Sequence, residues 1–373
     1  MLSDSMKQEM DIAALTDLYT YLDDFTIGTE GNTLGQRMKS IASTHPKVLK
    51  TDEYKAIMSA LDQHDEWKNI EIIDQSSNST NRWTDDPIQA VCFKNGNDYY
   101  VAYRGTGNGR WMDNGEGTTA ASTYMQEEAT VYFDKLIYNH KLENIHEKGG
   151  RLIVTGHSKG ANEAQYVTMT SKYRDLIDNC YSYDGQGFSK KADDKFKDIN
   201  GKEQYEQQKD KIYSICGKDD PVNVIGKKQM ASKNHTYYVN YADMGIISVH
   251  DLTAMVCHEK NGEYTGLSWG IENDGHGELG EIGKFAKCLN ENLQELDEDD
   301  LNSSAKVTMF IIDIIMHIKS NSTYENLTDQ HITFRDLIRF GANGIPVVIK
   351  TLVATPEGRK ILFEIAKEGI KVA

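Results

Sequence analysis

The chain has 373 residues, 39% of them hydrophobic and 26% charged, and a formal net charge of −16. That is long and apolar enough to bury a sizeable core. The acidic balance, with no basic stretch to offset it, argues against nucleic acid as a partner and against electrostatic attachment to an anionic membrane. Five cysteines (Cys92, Cys180, Cys216, Cys257, Cys288) are odd in number and lack metal spacing, which reads as reduced thiols. The polar, acidic N-terminus has no signal-peptide character. The longest apolar run, residues 307–318, is broken by Thr308, Asp313 and His317 and is too short to span a bilayer. The expectation is a cytoplasmic protein, with secretion by a signal-independent route left open.

Residues 1–66 read as helical. Ile12, Leu15, Leu18, Tyr19 and Leu22 recur at helical spacing, as do Tyr54, Ile57, Met58 and Leu61. The polar stretch 76–81 predicts a surface loop. Strands are predicted at 89–93 and 99–103, joined by Lys94-Asn95-Gly96-Asn97, whose Asn-Gly favours a tight hairpin. Further strands are predicted at 152–155, 180–183, 212–216 and 236–240, with helical patterns at 124–139 and 161–178. Strands alternating with helices predict a mostly parallel sheet flanked by helices, with one antiparallel pair at its start.

The charged stretch 189–211 is expected to be a solvated helical insertion, or else a cap over the site. Residues 253–258 and 263–268 flank Lys260-Asn261-Gly262 and predict a second hairpin. From about residue 300 the pattern is helical again. Ser303 and Ser304 are expected to cap a helix before 309–318, and Pro346 and Pro356 punctuate the later part of the tail. No internal repeat is present. The expected organisation is an N-terminal helical region (1–75) packed on a core (76–290), with a C-terminal helical region (291–373) after it.

The most informative segment is Gly156-His157-Ser158-Lys159-Gly160, which comes after the β-branched run 152–155 and leads into a helix-compatible stretch. Glycines on both sides of the serine let a strand and a helix close around a strained turn that leaves the hydroxyl accessible. A serine hydroxyl at neutral pH needs a base, usually histidine, oriented in turn by a carboxylate. The strand 212–216 leads into Asp219-Asp220-Pro221. Asp220 is the preferred acid because the proline after it forces an extended backbone, with Asp219 as the alternative. His250, at the head of a later apolar segment, is the preferred base over His235, His258 and His276. His157, inside the turn itself, is expected to pack. For the oxyanion, the backbone N–H of Lys159 is one donor, and the Arg104-Gly105-Thr106-Gly107 loop, through Thr106, supplies the second. A phosphate-loop reading of 105–109 fails for lack of a Gly-Lys-Ser/Thr. The acidic run 271–275 lacks EF-hand spacing and reads as a solvated loop. The sequence calls for no metal and no cofactor.

Four separated motifs carry a resemblance: Gly156–Ala164, Arg104-Gly105-Thr106, Asp184-Gly185-Gln186-Gly187-Phe188 and Asp220-Pro221-Val222. Over roughly residues 85–270 the chain resembles the Mbeg1-like lipase/esterase family of bacterial α/β hydrolases, more distantly similar to class 3 lipases. The resemblance implies an α/β-hydrolase fold, a triad of Ser158, Asp220 and His250, and an oxyanion hole framed by Thr106 and Lys159. Two departures are Ala161, where a third glycine is common, and Gln186, where proline is common. The expected function is a serine hydrolase of carboxylic esters of lipid or acyl-glycerol type, touching a lipid interface transiently. The alternatives are an exported antibacterial phospholipase toxin and a non-catalytic binding module on the same fold.

Overall fold

The structure is a computed structural model that describes residues 3–22, 31–76, 88–105, 111–240, 250–258, 263–267, 276–308 and 333–360. Seven strands run in sequence order across one sheet: β1 (Glu71–Gln75), β2 (Ala90–Asn95), β3 (Asp98–Tyr103), β4 (Leu152–His157), β5 (Asn179–Tyr183), β6 (Ile212–Gly217) and β7 (Thr236–Val239). The first three are antiparallel and β3 to β7 are parallel. β2 and β3 meet at a tight turn in which Gly96 adopts φ +61°, a left-handed conformation that glycine takes without a Cβ penalty. β1 lies at the end of the N-terminal region 1–75 expected to be helical. It carries no alternating apolar pattern of its own and is half-buried at the sheet edge, so pairing with β2 decides its conformation.

Both faces of the sheet are covered, and side-chain alternation assigns residues to each. Tyr100, Ala102, Ile153, Tyr181, Tyr183 and Ile215 point into one layer with α1 (Asp4–Thr20), α2 (Leu34–Thr44), α3 (Asp52–Gln63) and the short α8 (Leu252–Val256). Val101, Tyr103, Leu152, Val154, Cys180 and Ile212 point into the other, with α5 (Tyr124–Asn139), α6 (Lys159–Thr170) and α7 (Lys190–Asp210). A short helix, α4 (Trp111–Glu116), precedes α5. Helix α1 is buried from Ile12 to Thr20 on every side, so its polar residues find partners inside. Thr155 Oγ1 donates to Asp17 Oδ2 at 2.7 Å, and burial pushes the Asp17 carboxyl well above the usual carboxylate range.

The segment 189–211 is α7, the crossover helix between β5 and β6. Its buried Ala192, Phe196 and Tyr205 join Phe188 and Tyr166 in the core, so it is part of the layer covering the sheet rather than an insertion or a cap. The second hairpin shrinks to β8 (Cys257–His258) and β9 (Glu263–Tyr264), because 252–256 coil into α8. Four of the five cysteines are buried and all are free.

After α9 (Glu281–Leu293), a helix at 298–308 starts ahead of Ser303 and Ser304. Asp297 accepts from the Asp300 N–H at 2.9 Å and serves as its cap, while Ser303 Oγ reaches Asp336 Oδ1 at 2.8 Å. The helix expected over 309–318 lies outside the described residues. Among the described residues, the helix long and apolar enough to cross a membrane, by length and composition only, is a different one: Phe334–Ala354, with a mean hydropathy of 1.4 and 11% of its apolar stretch buried. Thr333 and Asp336 close a capping box at its start, and a π turn at Phe340–Gly344 widens it just ahead of Pro346, which has no N–H to give.

Candidate active site

Strand β4 ends at His157 and α6 begins at Lys159, so Ser158 alone makes the turn between them, at φ +60° and ψ −121°. That left-handed backbone is sterically costly for a residue with a Cβ, and the surroundings hold it in place. The Ser158 N–H donates to the Tyr183 carbonyl at 2.9 Å. A Cβ on Gly156 would lie 2.2 Å from the backbone of Gly160, and one on Gly160 would lie 2.0 Å from the Tyr103 carbonyl oxygen. The two glycines are therefore what allow α6 to approach β3 and β4. Ala161 puts a methyl where Gly185 offers no side chain to meet it: a Cβ at Gly185 would sit 2.7 Å from that of Ala161.

Parallel neighbours bring their C-terminal ends to one edge of the sheet. The structure joins Ser158, His250 and Asp220 there in one chain of hydrogen bonds. His250 Nε2 lies 2.7 Å from Ser158 Oγ, and His250 Nδ1 lies 2.5 Å from Asp220 Oδ2. Asp220 is fully buried, and its other oxygen accepts from the N–H groups of Val222 (2.6 Å) and Asn223 (3.1 Å). Burial pushes the His250 imidazole down. The charge and hydrogen bond of Asp220, helped by Asp184 and Asp251, outweigh this and bring it up to about 9.

Asp219 points elsewhere. Its Oδ1 accepts from the N–H groups of Ile282 (2.8 Å) and Gly283 (3.3 Å) in the first turn of α9, a helix-start role that suits a carboxylate. His235 stacks on Tyr213 and His276 stacks on Tyr237, both as packing groups away from the serine chain. The side chain of His258, and Thr106 with the rest of 106–110, lie outside the described residues.

The backbone N–H of Lys159 is in the first turn of α6, where helix geometry leaves it unspent. Its side chain turns inward: Lys159 Nζ pairs with Asp113 of α4 and reaches Asn162 Oδ1 at 3.3 Å. Asp113 also accepts from Thr123 Oγ1 at 2.8 Å, so the segment after the Arg104-Gly105 loop is tied to the residue after Ser158. Gly105 runs close by, since a Cβ on it would lie 3.1 Å from that of Ser158.

Three participants were not singled out for chemistry from the sequence. Tyr21, at the end of α1, places its hydroxyl 2.5 Å from His157 Nδ1. His157 stands beside His250 with ring centroids 4.9 Å apart; burial, then the His250 charge, push it well below the usual histidine range and keep it neutral. Asp184, at the end of β5, is fully buried next to Asp220. The sequence signals for it were its position at the end of a parallel strand and its place at the head of the Asp184-Gly185-Gln186-Gly187-Phe188 motif, and neither gave it a role. Among the described residues His157, Asp184 and His250 form a cluster whose polar atoms lie within 4.8 Å of one another. Both nitrogens of His250 are engaged by Ser158 and Asp220, so the cluster extends the serine chain rather than standing apart from it.

A mostly parallel sheet covered on both faces, with a strained serine turn between strand and helix, defines an α/β-hydrolase fold. Within that class the chain belongs to the Mbeg1-like family, which matches residues 61–309. Among solved structures it is similar to a crystal structure of the Lip2 lipase from Yarrowia lipolytica, at 12% identity and a TM-score of 0.34, over 75% of this chain and 97% of that one. No curated protein matches.

Proposed function

We propose that the protein is a serine hydrolase that cleaves carboxylic esters of lipid or acyl-glycerol type through Ser158, His250 and Asp220. The observation that carries the reading is the unbroken hydrogen-bond chain from Ser158 Oγ through His250 to a buried Asp220, anchored on a strained turn. Ser158 Oγ attacks the ester carbonyl carbon while His250 Nε2 takes its proton. Asp220 holds the ring in the tautomer that leaves Nε2 free to accept, and stabilises the imidazolium. The oxyanion of the tetrahedral intermediate meets the Lys159 N–H and the donor expected from Thr106. Collapse expels the alcohol with the proton from His250, and water then hydrolyses the acyl-enzyme by the same steps.

The lipid preference has separate support. The helix Phe334–Ala354 exposes Phe334, Leu337, Ile338, Ile345, Ile349 and Val353, an apolar face suited to a lipid interface. The test is labelling with a fluorophosphonate probe, together with turnover of p-nitrophenyl esters, monoacylglycerols and phospholipid vesicles. Ser158→Ala is expected to abolish labelling and to lower turnover by about 10⁴-fold or more. Labelling that persists in the alanine variant removes Ser158 as nucleophile, and a folded wild type that neither labels nor turns over any ester favours the binding-module alternative.

A further inference from the structure

We propose that Asp184 is a second orienting acid for His250: a positioning residue, set beside Asp220, that takes over the histidine when the charge of Asp220 is lost. The inference rests on the triad reading above. β5 and β6 are parallel neighbours, so their C-terminal ends deliver Asp184 and Asp220 side by side. Asp184 is fully buried and takes a left-handed backbone at φ +45°. One of its oxygens is fixed: Oδ1 accepts from the Gly217 N–H at 2.7 Å and from Asn223 Nδ2 at 3.0 Å. The other, Oδ2, is buried without a hydrogen-bond partner, as is Nε2 of His157. These side chains converge with His250, their polar atoms within 4.8 Å of one another. Gly217 lies against both acids, since a Cβ there would be in ordinary contact with them, 3.4 Å from that of Asp220 and 3.5 Å from Asp184 Oδ2.

A buried carboxyl with one oxygen unpartnered, on a side chain that converges with two imidazoles, has one use that the resting site does not exploit. Burial first, and then the Asp220 charge, hold Asp184 well above the usual carboxylate range. When the Asp220 charge is removed, the like-charge opposition disappears while the pull of His250 remains. As pH rises, Asp184 then releases its proton to solvent more readily than it does beside a charged Asp220, and faces the histidine as a carboxylate. The other titratable groups around the pair do not supply that charge. His157 is neutral, the Cys216 thiol is pushed up by burial and by both acids, Tyr21 stands behind His157, and Asp251 acts on His250 from its own segment.

The test uses full-length Asp220→Asn, Asp184→Asn and the double variant; asparagine keeps the Oδ1 acceptor that Gly217 requires. Losing a triad acid outright costs about 10⁴-fold. Asp220→Asn is expected to lose about 10²-fold in kcat/KM and the double variant about 10⁴-fold, while Asp184→Asn alone costs a few-fold. Residual activity of Asp220→Asn is expected to rise with pH as Asp184 ionises, a limb the double variant lacks. In ¹⁵N-histidine NMR titrations, His250 is expected to stay protonated to higher pH in Asp220→Asn than in the double variant. Equal losses on adding Asp184→Asn to either background, with identical His250 titrations, is what a structural role gives and overturns the proposal. The titration does not need Ser158 to be a nucleophile. Absent probe labelling in the wild type with the His250 difference intact therefore removes the hydrolase reading and leaves the pairing standing.

Discussion

Lys159 is the residue whose side chain and backbone make separable predictions. Its ammonium, 3% exposed, pairs with Asp113, 13% exposed, and Asn162 is the other acceptor in reach. Lys159→Met keeps the length of the side chain and the backbone N–H but leaves Asp113 buried without its cation. Removing one partner of a buried pair costs about 3–5 kcal/mol. Asp113 retains Thr123 Oγ1 and the Met125 N–H at 3.4 Å as donors, which places the expected loss near the lower end, about 3 kcal/mol. At about 2 °C per kcal/mol for a chain of this size, the midpoint should fall by roughly 6 °C. Removing both charges in Asp113→Asn/Lys159→Met should recover most of it, with a coupling of about 2 kcal/mol. The assay is thermal unfolding of all four proteins monitored by circular dichroism, with ester turnover at 25 °C in parallel. Because the Met variant keeps the N–H, kcat should fall less than about tenfold, far less than the loss of an oxyanion donor gives. A Lys159→Met protein within about 0.5 kcal/mol of wild type, or single losses that simply add in the double variant, would refute the reasoning.

The pH dependence is set by His250. A base raised to about 9 is active only once deprotonated, so kcat/KM should climb with pH to a limb near 9, and a profile flat from pH 6 to 9 would contradict it. The same shift stabilises the fold: its contribution is full below the ordinary histidine pKa of 6.5 and disappears as pH rises through about 9, which chemical denaturation at stepped pH will show. Gly160→Ala forces a methyl to 2.0 Å from the Tyr103 carbonyl oxygen and should cost about 1–3 kcal/mol or more and at least about 10²-fold in turnover. Gly201→Ala, with open space but φ +67°, should cost only about 1 kcal/mol and spare activity; equal effects of the two in thermal melts and turnover would remove the close-approach argument.

The sheet was largely legible because its information is local. Strands β2 to β7 are short apolar or β-branched runs bounded by turn residues, and their alternation with helices specifies parallel pairing. The serine turn was legible for the same reason: two glycines, a strand before and a helix after are all within a dozen residues. Membership of the family adds nothing to that local logic, because the same motifs carry both.

What the sequence could not decide are the questions settled between distant segments. Asp219 and Asp220 are adjacent, and only the docking of α9 shows that one carboxylate serves that helix while the other meets His250. Helix α1 shows Thr16, Asp17 and Thr20 as if on a solvated face, yet the sheet and α3 bury them all, and its last turn presents Tyr21 to His157. Asp184 stood only as the first residue of a glycine-rich motif with no role of its own until β5 and β6 set it against Asp220. The 3.6 and 2-residue periodicities of a chain encode which faces are apolar. They do not encode which group a fold sets beside which, because that depends on contacts between segments 30 to 138 residues apart and on the loss of water around them.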